Sequence, residues 1–288
     1  MICSLKTLYS TRENTQDAIL MALKTPIGVR TIWAVVESED DVKVYQKFLN
    51  PTSTIVKTSE DKKGKRGCGN VALIVEAIKT SVPHAYIFGI RDADYIRYQS
   101  IPVALPSNVF LTDSRDLEML LLESQIVRSE LEKWATGYVK AIKLCTPLCR
   151  YFGYLRIYNM EKGLNCIFHD KLKTSSFWDF TTQSLSPDWK NNITQKFLHL
   201  TNYCCTETDI NAFIESNSLE EEPFSHICRG HDLLKILPLA LVNSNVYSEK
   251  NIMNKMMDSY SIDDFKKTQL YAEIQKWQVN EHVTVLVA

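Results

Sequence analysis

Thr31-Ile-Trp-Ala-Val-Val-Glu37 is apolar and largely β-branched through its centre, with no polar position to turn toward water. A run of this kind fits a strand covered on both faces, as in a parallel sheet. Parallel neighbours need helical crossovers, and the following sequence supplies them. Ser38-Glu-Asp-Asp41 has the spacing of a capping box, and Val42, Val44, Tyr45, Phe48 and Leu49 give the helix behind it an apolar face. Thr54 to Lys57 reads as a short strand. Asp61 to Asn70 is a polar, glycine-containing loop, and Val71, Ile74, Val75 and Ile78 mark the next helix. Ala85 to Ile90 is a third strand. Asn108 to Leu111 is a fourth, leading through Asp113 into a helix over Arg115 to Glu123. The expected fold is therefore α/β, a parallel sheet flanked by helices over about residues 30–125. Residues 1–30 form a helical leader, with a helix from Thr15 to Lys24 ending before Pro26 and Gly28. Residues 126–288 read as a mainly helical second domain, with Asn217 to Pro223 as a loop. A Ser261-Ile-Asp-Asp264 box opens a last helix near 262–277, and Val283 to Ala288 is either a strand or a docked tail.

Charge and cysteine usage narrow the function classes. Lys and Arg number 33 against 34 Asp and Glu, a net charge of -1. Nucleic acid is not held by bulk charge here, so any contact with it must come from a local patch. The eight cysteines are irregularly spaced without a CxxC pair, which argues against a zinc site and for reduced thiols. The apolar stretch Ile236 to Val242 falls far short of the ~20 residues a membrane span needs. The first residues lack a charged region followed by an apolar segment, so the expectation is a cytoplasmic protein with no membrane partner.

Acidic groups fall at the carboxyl ends of the expected strands, the edge where open parallel sheets bind ligands. Glu37 ends the first strand, Asp92 and Asp94 end the third, and Asp116 and Glu118 follow the fourth. In extended backbone, positions two apart share a side, which would pair Asp92 with Asp94. Converging carboxylates repel one another and invite Mg²⁺ or Mn²⁺ as a cofactor for phosphodiester hydrolysis. Lys62, Lys63, Lys65 and Arg66 lie in the glycine-flanked loop before a helix, a setting that suits phosphate and, equally, a solvated turn. Each acid also has a bland reading. Glu39 and Asp40 are solvated charges of a helix first turn, Asp41 is a cap or a loop support, and Glu118 can pair with Arg115. Arg229, His231 and Asp232 form a polar island, His231 a proton shuttle or Asp232 a helix cap. Trp134, Trp178, Trp189 and Trp277 read as core.

Val35-Val-Glu-Ser-Glu-Asp-Asp41 and Gly89-Ile-Arg-Asp-Ala-Asp94 resemble the two acidic motifs of the TOPRIM family, shared by topoisomerases, primases and OLD-type nucleases. The resemblance covers roughly residues 30–125. Thr112-Asp-Ser-Arg-Asp-Leu-Glu118 and Cys228-Arg-Gly-His-Asp-Leu233 are similar to a narrower group, TOPRIM nucleases found beside OLD- or ABC-type ATPases in bacterial anti-phage systems such as PARIS. The resemblance implies an endonuclease effector, toxic to its host and held inactive by an ATPase partner, often working in assemblies such as a homodimer. It implies RNA, including tRNA, or DNA as substrate. Glu37 resembles the catalytic carboxylate, as metal ligand or general acid/base, and Asp92 and Asp94 resemble metal ligands, with Asp116 and Glu118 completing a second cation site. TOPRIM motifs place glycine after the glutamate, where this chain has Ser38. That departure keeps a rival in play, a TOPRIM-shaped binding or sensor module without catalysis.

Overall fold

Four strands form one parallel sheet in the order β2-β1-β3-β4 in the computed structural model, which describes residues 14–60, 67–168, 172–241 and 246–287. The chain divides into two compact units, Met1–Asp92 with Ala104–Asp113 and Ser261–Ala288 in one, Ala93–Val103 with Ser114–Tyr260 in the other. The first unit runs α1 (Thr15–Ala22), α2 (Pro26–Arg30), β1 (Ile32–Val36), α3 (Glu39–Tyr45), β2 (Thr54–Thr58), α4 (Cys68–Ser81), β3 (Ile87–Arg91) and β4 (Val109–Leu111). The second holds α5 (Leu117–Glu123), α6 (Gln125–Trp134), α7 (Tyr138–Glu161), a hairpin of β5 (Trp178–Asp179) and β6 (Ser184–Leu185), α8 (Trp189–Leu200), α9 (Glu207–Ser216), α10 (Phe224–Ile227), α11 (Gly230–Ala240) and α12 (Glu249–Ser259). Then α13 (Ile262–Phe265) and α14 (Gln269–Asn280) return to the first. The division thus falls elsewhere than the expected boundaries at 30 and 125. The leader helix joins the sheet, α5 joins the helical unit, and the end of the chain goes back to the sheet.

In the sheet unit all five positions of β1 are buried, as its unbroken apolar run requires. Its register pairs Ile32 with Thr54 on one side and Trp33 with Ile87 on the other. The crossover through α3 leads from β1 outward to β2, and the crossover through α4 runs back past β1 to β3. Right-handed crossovers running in opposite directions put their helices on opposite faces. Trp33, Val35, Ile87 and Val109 pack with Val71, Val75 and Ile78 of α4 and with Ile19 of α1. The rings of the other face agree. Phe88 meets Trp277 of α14 at 5.0 Å between centroids, and Phe48 stacks on Phe265 of α13 at 4.9 Å. The tail is docked rather than a strand: Leu286 makes one isolated bridge to Leu49. The expected last helix is two, because Thr268 caps a second start at α14.

The helical unit is organised by α7, 24 residues long, against which α11 packs. Gly153 allows the close approach of the chain at Ile227, whose carbonyl oxygen would lie 2.3 Å from any Cβ at residue 153. Phe152, Phe177 and Phe197 are fully buried here. Of the tryptophans read as core, Trp178 and Trp277 are buried, Trp189 is half-buried, and Trp134 is 36% exposed, edge-on to Tyr247. Among the described residues no helix is long and apolar enough to cross a membrane.

Gly89 sits in β3 directly under α4. A Cβ there would lie 2.6 Å from Val71 Cγ1 and 3.2 Å from Val75 Cγ2. Overpacking of this kind costs ~1–3 kcal/mol. Gly89→Ala should lower the urea midpoint accordingly with an unchanged m-value, read by equilibrium unfolding.

Candidate active site

Glu37 directly follows β1 and Asp92 directly follows β3, and these strands are neighbours in the sheet. From β1 the chain steps to β2 on one side, while β3 and β4 continue on the other. The crevice beyond their carboxyl ends is therefore the topological switch point, where doubly wound sheets bind ligands. Glu37 Oε1 accepts the backbone N–H of Asp92 at 2.9 Å, and both side chains are half-buried. Arg91, the last residue of β3, is half-buried too, and its Nε has no hydrogen-bond partner among the described residues. A donor left in that state costs free energy until an acceptor such as a phosphate oxygen reaches it. Glu37 and Asp92 thus lie together beyond the ends of two neighbouring strands, with Arg91 the last residue of one of them.

The residues between Glu37 and α3 are taken up by the helix start. The Ser38 N–H and hydroxyl donate to Asp41 Oδ2 at 2.8 and 2.6 Å, and the Asp41 N–H donates to Ser38 Oγ at 3.3 Å, a complete capping box. Asp41 is therefore the cap. Burial pushes its pKa up to about 6, against the pull of the Ser38 hydrogen bonds. Asp40 pairs with Lys43 at 2.7 Å and Glu39 is exposed, as solvated helix charges should be.

The other acids expected at this edge belong to the helical unit. The alternation argument does not reach Asp94, because β3 ends at Arg91 and Asp94 is left-handed, with φ 45°. Its Oδ1 accepts from Arg115 Nη2 at 3.1 Å, and its N–H donates to the Arg115 carbonyl at 2.7 Å. Asp116 is buried and its oxygens are heavily used. Oδ1 accepts the Met119 N–H as the N-cap of α5, and Oδ2 accepts from Arg115 Nη1 and from the Gly230 N–H at 2.9 Å. Burial alone would lower the Arg115 pKa, but Tyr95, Asp116 and Asp94 around it raise it, so the guanidinium stays charged, 4.5 Å above the Tyr95 ring. Glu118 is half-buried in the first turn of α5. Its Cβ would lie 2.2 Å from a Cβ at residue 230, so only glycine fits there.

Among the described residues no group of three or more His, Cys, Asp or Glu side chains converges as a metal site. The expected five-carboxylate cluster is divided. Glu37 and Asp92 lie at the sheet edge, and Asp94 and Asp116 are bridged by Arg115. Lys62, Lys63, Lys65 and Arg66 lie outside the described residues. His231 is 39% exposed with Nδ1 3.8 Å from Glu249 Oε2. Asp232 does not cap α11, whose N-cap is Arg229, and instead pairs with Arg156. Sequence reasoning missed the Arg115 bridge, for which the adjacent Arg-Asp dipeptide was the one local signal. No family model matches the chain, and no curated protein matches it.

Two predictions separate structural from chemical carboxylates. Asp116→Ala removes a cap and leaves Arg115 buried without its closest partner, a change of the kind that costs roughly 3–5 kcal/mol; chemical denaturation should show a loss in that range, whereas Glu37→Gln should stay within ~1 kcal/mol of wild type, as expected away from buried networks. The Asp41 prediction concerns pH. Its folded pKa, about 6, lies above its ordinary value of 3.8. As pH rises between these values the unfolded chain ionises first, so the wild type loses stability over that window and is level above it. Asp41→Asn removes this titration, and the stability difference between the two proteins should shift against the wild type by at most ~3 kcal/mol between pH 4 and 6.5, read from urea unfolding at each pH.

Proposed function

We propose that the chain is a metal-dependent, TOPRIM-like nuclease whose centre is the sheet edge between Glu37 and Asp92. The observation that carries this reading is the placement of those two carboxylates after neighbouring parallel strands, at the switch point, joined by the hydrogen bond from the Asp92 N–H. The donor set fits Mg²⁺, which is commonly held by one or two carboxylates together with waters and substrate phosphate rather than by a closed protein cage. Glu37 and Asp92 would hold it, and the ion would supply Lewis-acid stabilisation of charge on the phosphodiester. Arg91, whose Nε awaits an acceptor, would orient a phosphate oxygen beside them. Glu37 would serve either as ligand or as general acid/base.

The finer identity rests on the motif resemblance: an effector of anti-phage defence, acting on RNA, possibly including tRNA, or on DNA, and controlled by an OLD- or ABC-type ATPase. The binding-module rival draws on Ser38, which fills the place of a glycine. Its hydroxyl is turned onto Asp41, which accounts for the serine as a cap.

Glu37→Gln keeps an oxygen to accept the Asp92 N–H while losing the charge, and Asp92→Asn does the same at the neighbouring strand. Each should lower Mg²⁺-dependent cleavage of tRNA, single-stranded RNA or DNA by ~10²-fold or more, and Asp92→Asn should weaken Mg²⁺ binding in calorimetric titration. If Glu37→Gln cleaves as wild type does, or if neither protein cleaves any of the three substrates, the enzyme reading is wrong and the binding module replaces it.

A further inference from the structure

Within the helical unit, a cavity of about 270 Å³ is lined by Arg156, Lys173, Arg229 and Lys235, by Asp232 and Glu249, and by Thr174 and Phe168. Asp232 pairs with Arg156, and Glu249, half in solvent, lies with Oε2 3.8 Å from His231 Nδ1. Lys173, Arg229 and Lys235 have no ion-pair partner among the described residues. Like charges gathered around one cavity repel, and half-burial of Arg229 and Lys235 weakens the screening that water would provide. The cavity adjoins the start of α11, where Arg229 is the N-cap and the Gly230 N–H is already taken by Asp116 Oδ2, so the positive charge comes from the side chains rather than from the helix end. Thr174 is 3% exposed, and its Oγ1 has no hydrogen-bond partner among the described residues. A buried hydroxyl in that state is rare and costly without a ligand or water.

We infer that this cavity binds the phosphate group of a nucleotide, either a free mononucleotide or the terminal phosphate of a nucleic-acid strand. Each feature answers one property of that group. Arg229 offers a planar fork to two phosphate oxygens, the lysines offer point charges, and Thr174 and Ser175 offer hydroxyl donors. The volume lies at the small end of ligand sites, enough for a phosphate with its sugar and too small for a duplex. Phe168 and Leu172 form an apolar wall, which suits the sugar or base edge rather than a second charged group. None of these residues lies at the sheet edge of Glu37 and Asp92, and the inference does not depend on cleavage there.

The test is binding by the full chain in EDTA, where cleavage is absent, so its outcome is separate from that of the nuclease reading. Three probes are titrated: inorganic phosphate, adenosine 5′-monophosphate, and a short single strand with either a 5′-phosphate or a 5′-hydroxyl. Saturable binding of the monophosphate, or of the 5′-phosphorylated strand in preference to its 5′-hydroxyl twin, supports the site, and the tighter of the two identifies the source. Lys173→Gln, on an exposed residue and safe for folding, should weaken that binding roughly 10-fold, as loss of one charge-assisted contact does. Arg229→Gln with Lys235→Gln should weaken it further, while Lys276→Gln on α14 removes an equal charge elsewhere and should leave it unchanged. If no phosphate probe binds at millimolar concentration, or if the Lys173 and Arg229/Lys235 variants bind as wild type does with unaltered melting temperatures, the site is overturned.

Discussion

The burial of β1 on both faces is the constraint on which the sheet unit rests. Five consecutive residues, Ile32 to Val36, are buried. Burying the four large side chains among them contributes ~1.5–3 kcal/mol each in gross terms, a sum comparable with the whole net stability of a domain. Cover must therefore exist on each side. The α4 crossover and α1 provide one layer, and α13, α14 and the docked tail at Leu286 help provide the other. That is why the end of the chain returns to the sheet after the long helical excursion. With β1 central, β2 and β3 must flank it, and the reversal of direction leaves a crevice at the ends of β1 and β3. The position of Glu37 and Asp92 follows from covering a strand, before any question of chemistry arises.

Carboxylates of similar appearance in the sequence meet three different fates. Asp41 is enclosed by a capping box, and burial holds its pKa high. Asp116 accepts from a helix amide, from Arg115 and from Gly230, so its lone pairs are spent within the fold. A buried charge survives only when saturated in this way, and saturation makes it a poor ligand for anything else. Glu37 and Asp92 are half-buried beyond the ends of neighbouring strands, where Glu37 takes the Asp92 N–H. Degree of burial, more than residue type or motif, separates these two from Asp41 and Asp116.

Features governed by neighbours in sequence were legible in advance. The β1 run, the Ser38–Asp41 box, the strand before Asp92 and the helix after Asp116 follow from local patterning, and all are present. The illegible features depend on contacts between distant residues or on single backbone angles. Asp116 meets Gly230 across 114 positions, and no local pattern announces it. Asp94 leaves the extended path because the strand stops at Arg91 and the backbone turns left-handed, which aspartate tolerates better than most residues. Thr268 has the same capping chemistry as Ser261, and the second helix start is evident only when both are weighed. Trp134 reads as core by composition, yet a ring edge-on to Tyr247 leaves it partly in solvent.

Charge distribution carries the functional argument one step beyond the carboxylates. A net charge of -1 gives no long-range attraction for a polyanion, and at physiological ionic strength fields fade within ~8 Å. Any recognition of phosphate by such a chain would therefore have to be local, made by groups already positioned and partly desolvated. Half-burial does this for Arg91 at the sheet edge and for Arg229 and Lys235 in the helical unit. A fully solvated lysine gives up hydration and side-chain freedom when it binds, whereas a half-buried guanidinium without a full set of acceptors has already met much of that cost on folding. An anion reaching these cations would offset that cost, a gain an exposed lysine would not make.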